Sequence, residues 1–176
     1  FDISDVADSI SEKLIFRHPH VYEEKINLSE EQVRLNWEKL KLKEGKTSVL
    51  EGVPKTLPSI LKSMRIQQKA SNVGFNWKNN KDAKEKVFEE LIELSNEIDS
   101  GNVEKIEEEF GDVLFSLINF GRILGINADS SLEKTNKKFI NRFMNLERKI
   151  KSKNKNLENL SEKELLKYWE LVKKEV

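Results

Sequence analysis

The chain of 176 residues is long enough for one ordinary domain, or a domain plus an appendage, and its 31 basic and 31 acidic side chains cancel, so no global field argues for a nucleic-acid partner. It has no cysteine, which excludes disulfides, thiolate metal sites and thiol nucleophiles. No stretch approaches the roughly 18 continuous apolar residues of a membrane span and no signal-peptide pattern opens the chain, so a cytoplasmic protein without a membrane partner is expected.

Seven glycines and three prolines punctuate a periodicity of 3.6 residues, and strand-like alternation is absent at useful length. An all-α antiparallel helical bundle is expected. A first helix is predicted over Ile3 to Phe16, with a break at Arg17-His18-Pro19-His20. The two histidines flanking a proline suit local packing or capping better than metal ligation. A second helix begins at Ser29, where Ser29 and Gln32 fit a capping box, and runs through Trp37 toward Lys43. Residues 44–58, which contain Gly45, Gly52, Pro54 and Pro58, read as a loop. A third helix follows Pro58 through Leu61, Met64 and Ile66, until VGFNWKNNKD interrupts it. The fourth stops near Asp99, with Ser100 and Gly101 as terminators; Asn102 caps the fifth, which ends at Gly125. Ser130 and Glu133 predict a capping box for a sixth helix over Leu132 to Ile150. The Lys- and Asn-rich residues 151–156 read as a mobile connection. Ser161 and Glu164 form another capping box, before a last helix carrying Tyr168 and Trp169.

The fourth and fifth segments carry the chemistry. Glu89, Glu90 and Glu93 lie in EKVFEELIELSNEID, and Glu109 and Asp112 in IEEEFGDVLF. Residues three apart share a helix face, so Glu90 and Glu93 project together, with Glu97 a turn further on, and Glu109 and Asp112 repeat the pattern. A short turn makes the two helices antiparallel neighbours. Glu93 and Glu109 each lie roughly eight residues from the turn, so at about 1.5 Å per residue they sit nearly level. For any single Glu a solvated face is the ordinary reading; two facing acidic pairs flanked by core residues instead require a cation. Oxygen donors favour Mg²⁺, Mn²⁺ or Ca²⁺. A ferritin-like di-iron site is disfavoured, because neither His18 nor His20 supplies the Glu-x-x-His unit it needs. Lys86, Lys138 and Arg142 are candidate anion binders, the last two four apart on one face. Trp77 and Trp169 could stack on a base, although aromatic residues at helical spacing are usually core. Phe110, Val113, Leu114, Leu117, Ile118 and Phe120 form a broad apolar surface that needs partner helices from this chain or from a second copy.

EELIE followed by EFGD resembles the EExxE…ExxD signature of the all-α nucleoside triphosphate pyrophosphohydrolases. RHPHVY (17–22), KASNVGFNW (69–77), EEEFGDVLF (107–115) and NKKFINRF (136–143) resemble MazG segments, so the likeness covers essentially the whole chain. It implies Mg²⁺-dependent hydrolysis of NTP or dNTP between the α and β phosphates, with Mn²⁺ as a possible substitute. By motif it implies Glu90, Glu93, Glu109 and Asp112 as metal ligands, and Glu89 and Glu97 as supporting carboxylates. Lys86, Lys138 and Arg142 would hold the triphosphate, and Trp169 would close near the nucleotide. It further implies a homodimer completing each site. MazG proteins of the two-domain type carry two helical units, whereas this sequence has one acidic signature. Residues 1–50 therefore read as the remnant of an upstream unit plus linker in an N-terminally truncated MazG, and 51–176 as the catalytic domain. The first residue, Phe rather than Met, fits a processed chain or a fragment. Alternatives are a narrower dUTP, dCTP or phosphoribosyl-ATP hydrolase, a nucleotide or alarmone sensor with little turnover, and a helical interaction module.

Overall fold

The structure, a computed structural model, describes residues 1–22, 29, 32, 33, 47–77 and 79–174. Among them every regular element is helical: α1 (Ile3–Arg17), α2 (Pro19–Tyr22), α3 (Ser59–Asn72), α4 (Asn80–Ser100), α5 (Val103–Ile123), α6 (Ala128–Lys151), a 3₁₀ turn at Leu157–Asn159, and α7 (Glu162–Lys173). The expected all-α class is what folds. Two compact units result, Phe1–Gly125 and Ile126–Val176.

Local chemistry sets the boundaries. Asp2 caps α1 in a reciprocal box with Asp5, and His18 ends it, its Nδ1 donating to the Leu14 carbonyl at 2.7 Å. That is the capping role expected of His18. Ser29 and Gln32 exchange the expected capping-box bonds, at 2.9 and 3.3 Å; the helix predicted beyond them, with Trp37, lies outside the described residues. Pro58 precedes α3 in an extended conformation, its fixed φ suiting the entry.

Helices α4 and α5 are the frame of the first unit. Asn79 caps α4 by accepting from the Asp82 amide, and Gly101 ends it at φ 74°, a left-handed conformation that costs glycine least. Asn102 then caps α5, so the turn is too short for anything but an antiparallel hairpin. Each arm is 21 residues long. Lys105 reaches back to Glu97 at 3.6 Å across the base of the hairpin. Helix α3 packs on α5, joined by a 2.7 Å bond from the Gln67 amide to the Phe115 carbonyl.

The second unit is an α6–α7 pair around buried Leu146, Ile150 and Val172. Its first helix corrects the predicted start: Asn127, not Ser130, is the cap, its side chain accepting from the Ser130 amide, and α6 begins at Ala128. Asn competes well with Ser for this position, and its placement two residues after Gly125 makes it the first cap the chain meets. The Ser161–Glu164 box of α7 forms as expected.

Candidate functional site

The hairpin brings Glu90 of α4 and Glu109 and Asp112 of α5 together, with one carboxylate oxygen of each lying within 4.8 Å of the other two. Both arms rise about 1.5 Å per residue from one turn, so Glu90 lies level with Asp112 and Glu93 with Glu109. Exposure is graded: Glu90 is buried, Glu109 half-buried and Asp112 exposed. Glu93 stands beside the cluster and shares a hydrogen bond with Glu90.

Crowded carboxylates resist ionising together. Partial loss of hydration, then the bond to Glu90 and its charge, raise the Glu93 pKa. Lost hydration, followed by the charges of Glu93, Asp112 and Glu90, does the same to Glu109. Lys86, one turn before Glu90, offsets part of this charge: its Nζ is 2.7 Å from Glu89 and 2.9 Å from Glu90. Those two bonds raise the lysine pKa far above its ordinary value.

The donor set fits a hard divalent cation. All three donors are carboxylate oxygens, the ligands such an ion prefers. Two other acidic residues are engaged elsewhere. Glu97 pairs with Lys105 and accepts from the Ser100 hydroxyl near the turn, and Glu89 is exposed and bound to Lys86.

A cleft of about 660 Å³ opens from this cluster. Lys86, Glu90 and Asp112 lie at its charged end. The remainder is mostly apolar, walled by Phe75 and Trp77 from the segment between α3 and α4, by Val49 and Leu50, and by Phe115 of α5. The buried Lys69 ammonium donates to the Val49 carbonyl at 2.8 Å, tying that loop to α3.

Sequence reasoning did not single out Gln67, Asn76 or Asn119, which also line the cleft. One signal was present: Asp112, Ser116 and Asn119 recur at helical spacing, a polar stripe that continues the acidic one through an apolar run.

Lys138, Arg142 and Trp169 belong to the second unit. Lys138 is exposed on α6 and Arg142 half-buried, with its Nε buried and without a hydrogen-bond partner among the described residues. Trp169 packs on Phe139, ring centroids 5.2 Å apart, against the α6–α7 core.

The chain is similar in sequence to known proteins over nearly its whole length. A family model described as the MazG nucleotide pyrophosphohydrolase domain matches residues 78–146, which include all four signature carboxylates. A Thermotoga maritima protein named nucleoside triphosphate pyrophosphohydrolase/pyrophosphatase MazG is 39% identical over 173 residues, 98% of this chain and 66% of the relative. An Escherichia coli K12 nucleoside triphosphate pyrophosphohydrolase is 34% identical over 181 residues, 99% of this chain and 69% of the relative. The uncharacterized protein YabN of Bacillus subtilis is 40% identical over 64 residues, 36% of this chain and 13% of its own. The chain thus spans about two thirds of the length of the first two relatives.

Proposed function

The chain belongs to the MazG nucleotide pyrophosphohydrolase family, and from that premise we propose that it hydrolyses NTPs and dNTPs to the monophosphate and pyrophosphate, using Mg²⁺ or, in its place, Mn²⁺. The observation that carries the proposal is the meeting of Glu90, Glu109 and Asp112, two of which, Glu90 and Asp112, line a cleft of about 660 Å³.

In this reading Glu90, Glu109, Asp112 and Glu93 hold the divalent ion. When bound, that ion supplies positive charge against the roughly four negative charges of a triphosphate and acidifies water. Water adds to the α-phosphorus, the bond from that phosphorus to the bridging oxygen breaks, and pyrophosphate departs. Glu89, a supporting carboxylate beside the ligands, accepts the proton. Lys86 is assigned to the phosphates, and Lys138 and Arg142 to the triphosphate oxygens. Their shared face on α6 and the Arg142 Nε, without a partner among the described residues, support that role. Trp169 is assigned to the nucleotide.

A homodimer is part of the same proposal. Phe88, Leu91 and Ile92 on α4, and Phe110, Leu114 and Leu117 on α5, are all exposed, more apolar surface than a lone hairpin ordinarily presents. A cytoplasmic setting is part of the same proposal. Replacing Glu93 by Gln tests the assignment: hydrolysis falls by more than about 100-fold while dimerisation is retained. Unchanged turnover in that variant contradicts it.

A further inference from the structure

The phosphates belong at the carboxylate end of the cleft, which leaves its apolar part to the nucleoside. Sites of this kind use few polar groups, each well placed. Gln67 is one of them. It is 5% exposed, and its Nε2 donates to the Phe115 carbonyl at 2.7 Å. A carbonyl only accepts, so this bond fixes which way the amide faces. The Oε1 atom is left buried and without a partner among the described residues, an arrangement that native folds seldom keep without use.

Asn119 supplies the complement. Its Oδ1 accepts from Arg122 Nε at 3.1 Å and Nη2 at 2.8 Å, and Nη2 also donates to Asn76 Oδ1 at 2.5 Å. A guanidinium only donates, so Arg122 holds the Asn119 oxygen and leaves its Nδ2 as an uncommitted donor among the described residues. Phe115, where Gln67 is anchored, and Asn119 are one turn of α5 apart, about 6 Å along the axis.

We propose that Gln67 and Asn119 read the pairing edge of the nucleobase in this cleft, Gln67 Oε1 accepting from a base N–H and Asn119 Nδ2 donating to the neighbouring base acceptor. Adenine and cytosine offer an amine beside a ring nitrogen; guanine, uracil and thymine offer a ring N–H beside a carbonyl. One acceptor and one donor therefore suit every common base without choosing among them. Trp77 and Phe75, in the cleft wall, provide apolar faces for the ring. Because Gln67 Oε1 is shielded from solvent, a base edge meets it after a small shift of the lining side chains. The inference rests on the nucleotide reading above and adds what holds the base.

The experiment varies the substrate first, so it does not depend on a variant folding. Purine riboside triphosphate and pyrimidin-2-one riboside triphosphate lack the N–H of ATP and CTP but keep the phosphates and sugar. For the unaltered protein with Mg²⁺, kcat/KM for each analogue falls at least about tenfold below that of its parent, because a buried acceptor is left unmet. In Gln67→Met the two values converge to within about twofold. With 1-deaza-ATP, which lacks the acceptor, Asn119→Leu erases the corresponding difference. Analogues hydrolysed as well as ATP and CTP by the unaltered protein, or a ratio that survives in a folded Gln67→Met, overturn the inference and leave the pyrophosphohydrolase reading intact. Failure to hydrolyse ATP and CTP overturns that reading, and this inference with it.

Discussion

Glu90 is the residue on which the site turns. A buried carboxylate among three others needs a cation, and the Lys86 ammonium lies 2.9 Å from it. The same lysine therefore stabilises the fold and occupies a ligand that metal would use. Lys86→Met should lower metal-free stability by about 1 kcal/mol, less than a fully buried pair would lose because Lys86 is partly exposed. Mg²⁺ should then raise the melting temperature of this variant more than that of the parent, which thermal scans with and without EDTA measure. Glu93 and Glu109 make a second prediction. Their folded-state pKa values are raised above the ordinary 4.5, so the native state holds protons that the unfolded chain has released. Metal-free stability should fall as pH rises from about 4.5 through their raised values. Mg²⁺ should flatten that slope, and a melting series across pH with and without the ion checks both statements. The signature carboxylates were legible from spacing alone. The engagement of Lys86 by Glu89 and Glu90, and the turning of Glu97 to Lys105, were not, because spacing selects a helix face but not which of several rotamers its long side chains adopt.

At the scale of elements, the hairpin depends on a two-residue turn. Gly101 has φ 74°, and a Cβ added there would meet nothing within 4 Å, so Gly101→Ala should cost about 1 kcal/mol from the backbone alone. Denaturant unfolding measures that loss, and the remaining folded protein should keep its carboxylate register and hence its activity. The helices of this unit were readable because their stops are chemical: Gly101, Asn102 and Gly125 act through their own backbone preferences. The start of α6 was misplaced because Asn127 and Ser130 are both good caps, and propensity does not say which the chain uses first. The apolar cleft was not readable at all. It is made where α3, the 47–58 loop and α5 meet, through Gln67 to Phe115 and Lys69 to Val49, and periodicity carries no record of such long-range bonds.

At the scale of the molecule, α4 and α5 carry exposed apolar side chains, Phe88, Leu91, Ile92, Phe110, Leu114 and Leu117, for which a partner is proposed. A second copy is the proposed one. Light scattering at micromolar concentration should give the dimer mass, and Leu91→Glu together with Leu117→Glu should shift it toward monomer; a monomer in the unaltered protein contradicts the assembly. The central claim concerns the bond that breaks. Hydrolysis of the common NTPs and dNTPs with Mg²⁺, with products resolved by anion exchange, should give monophosphate and pyrophosphate, abolished by EDTA and by Glu90→Gln. Diphosphate and phosphate would contradict it.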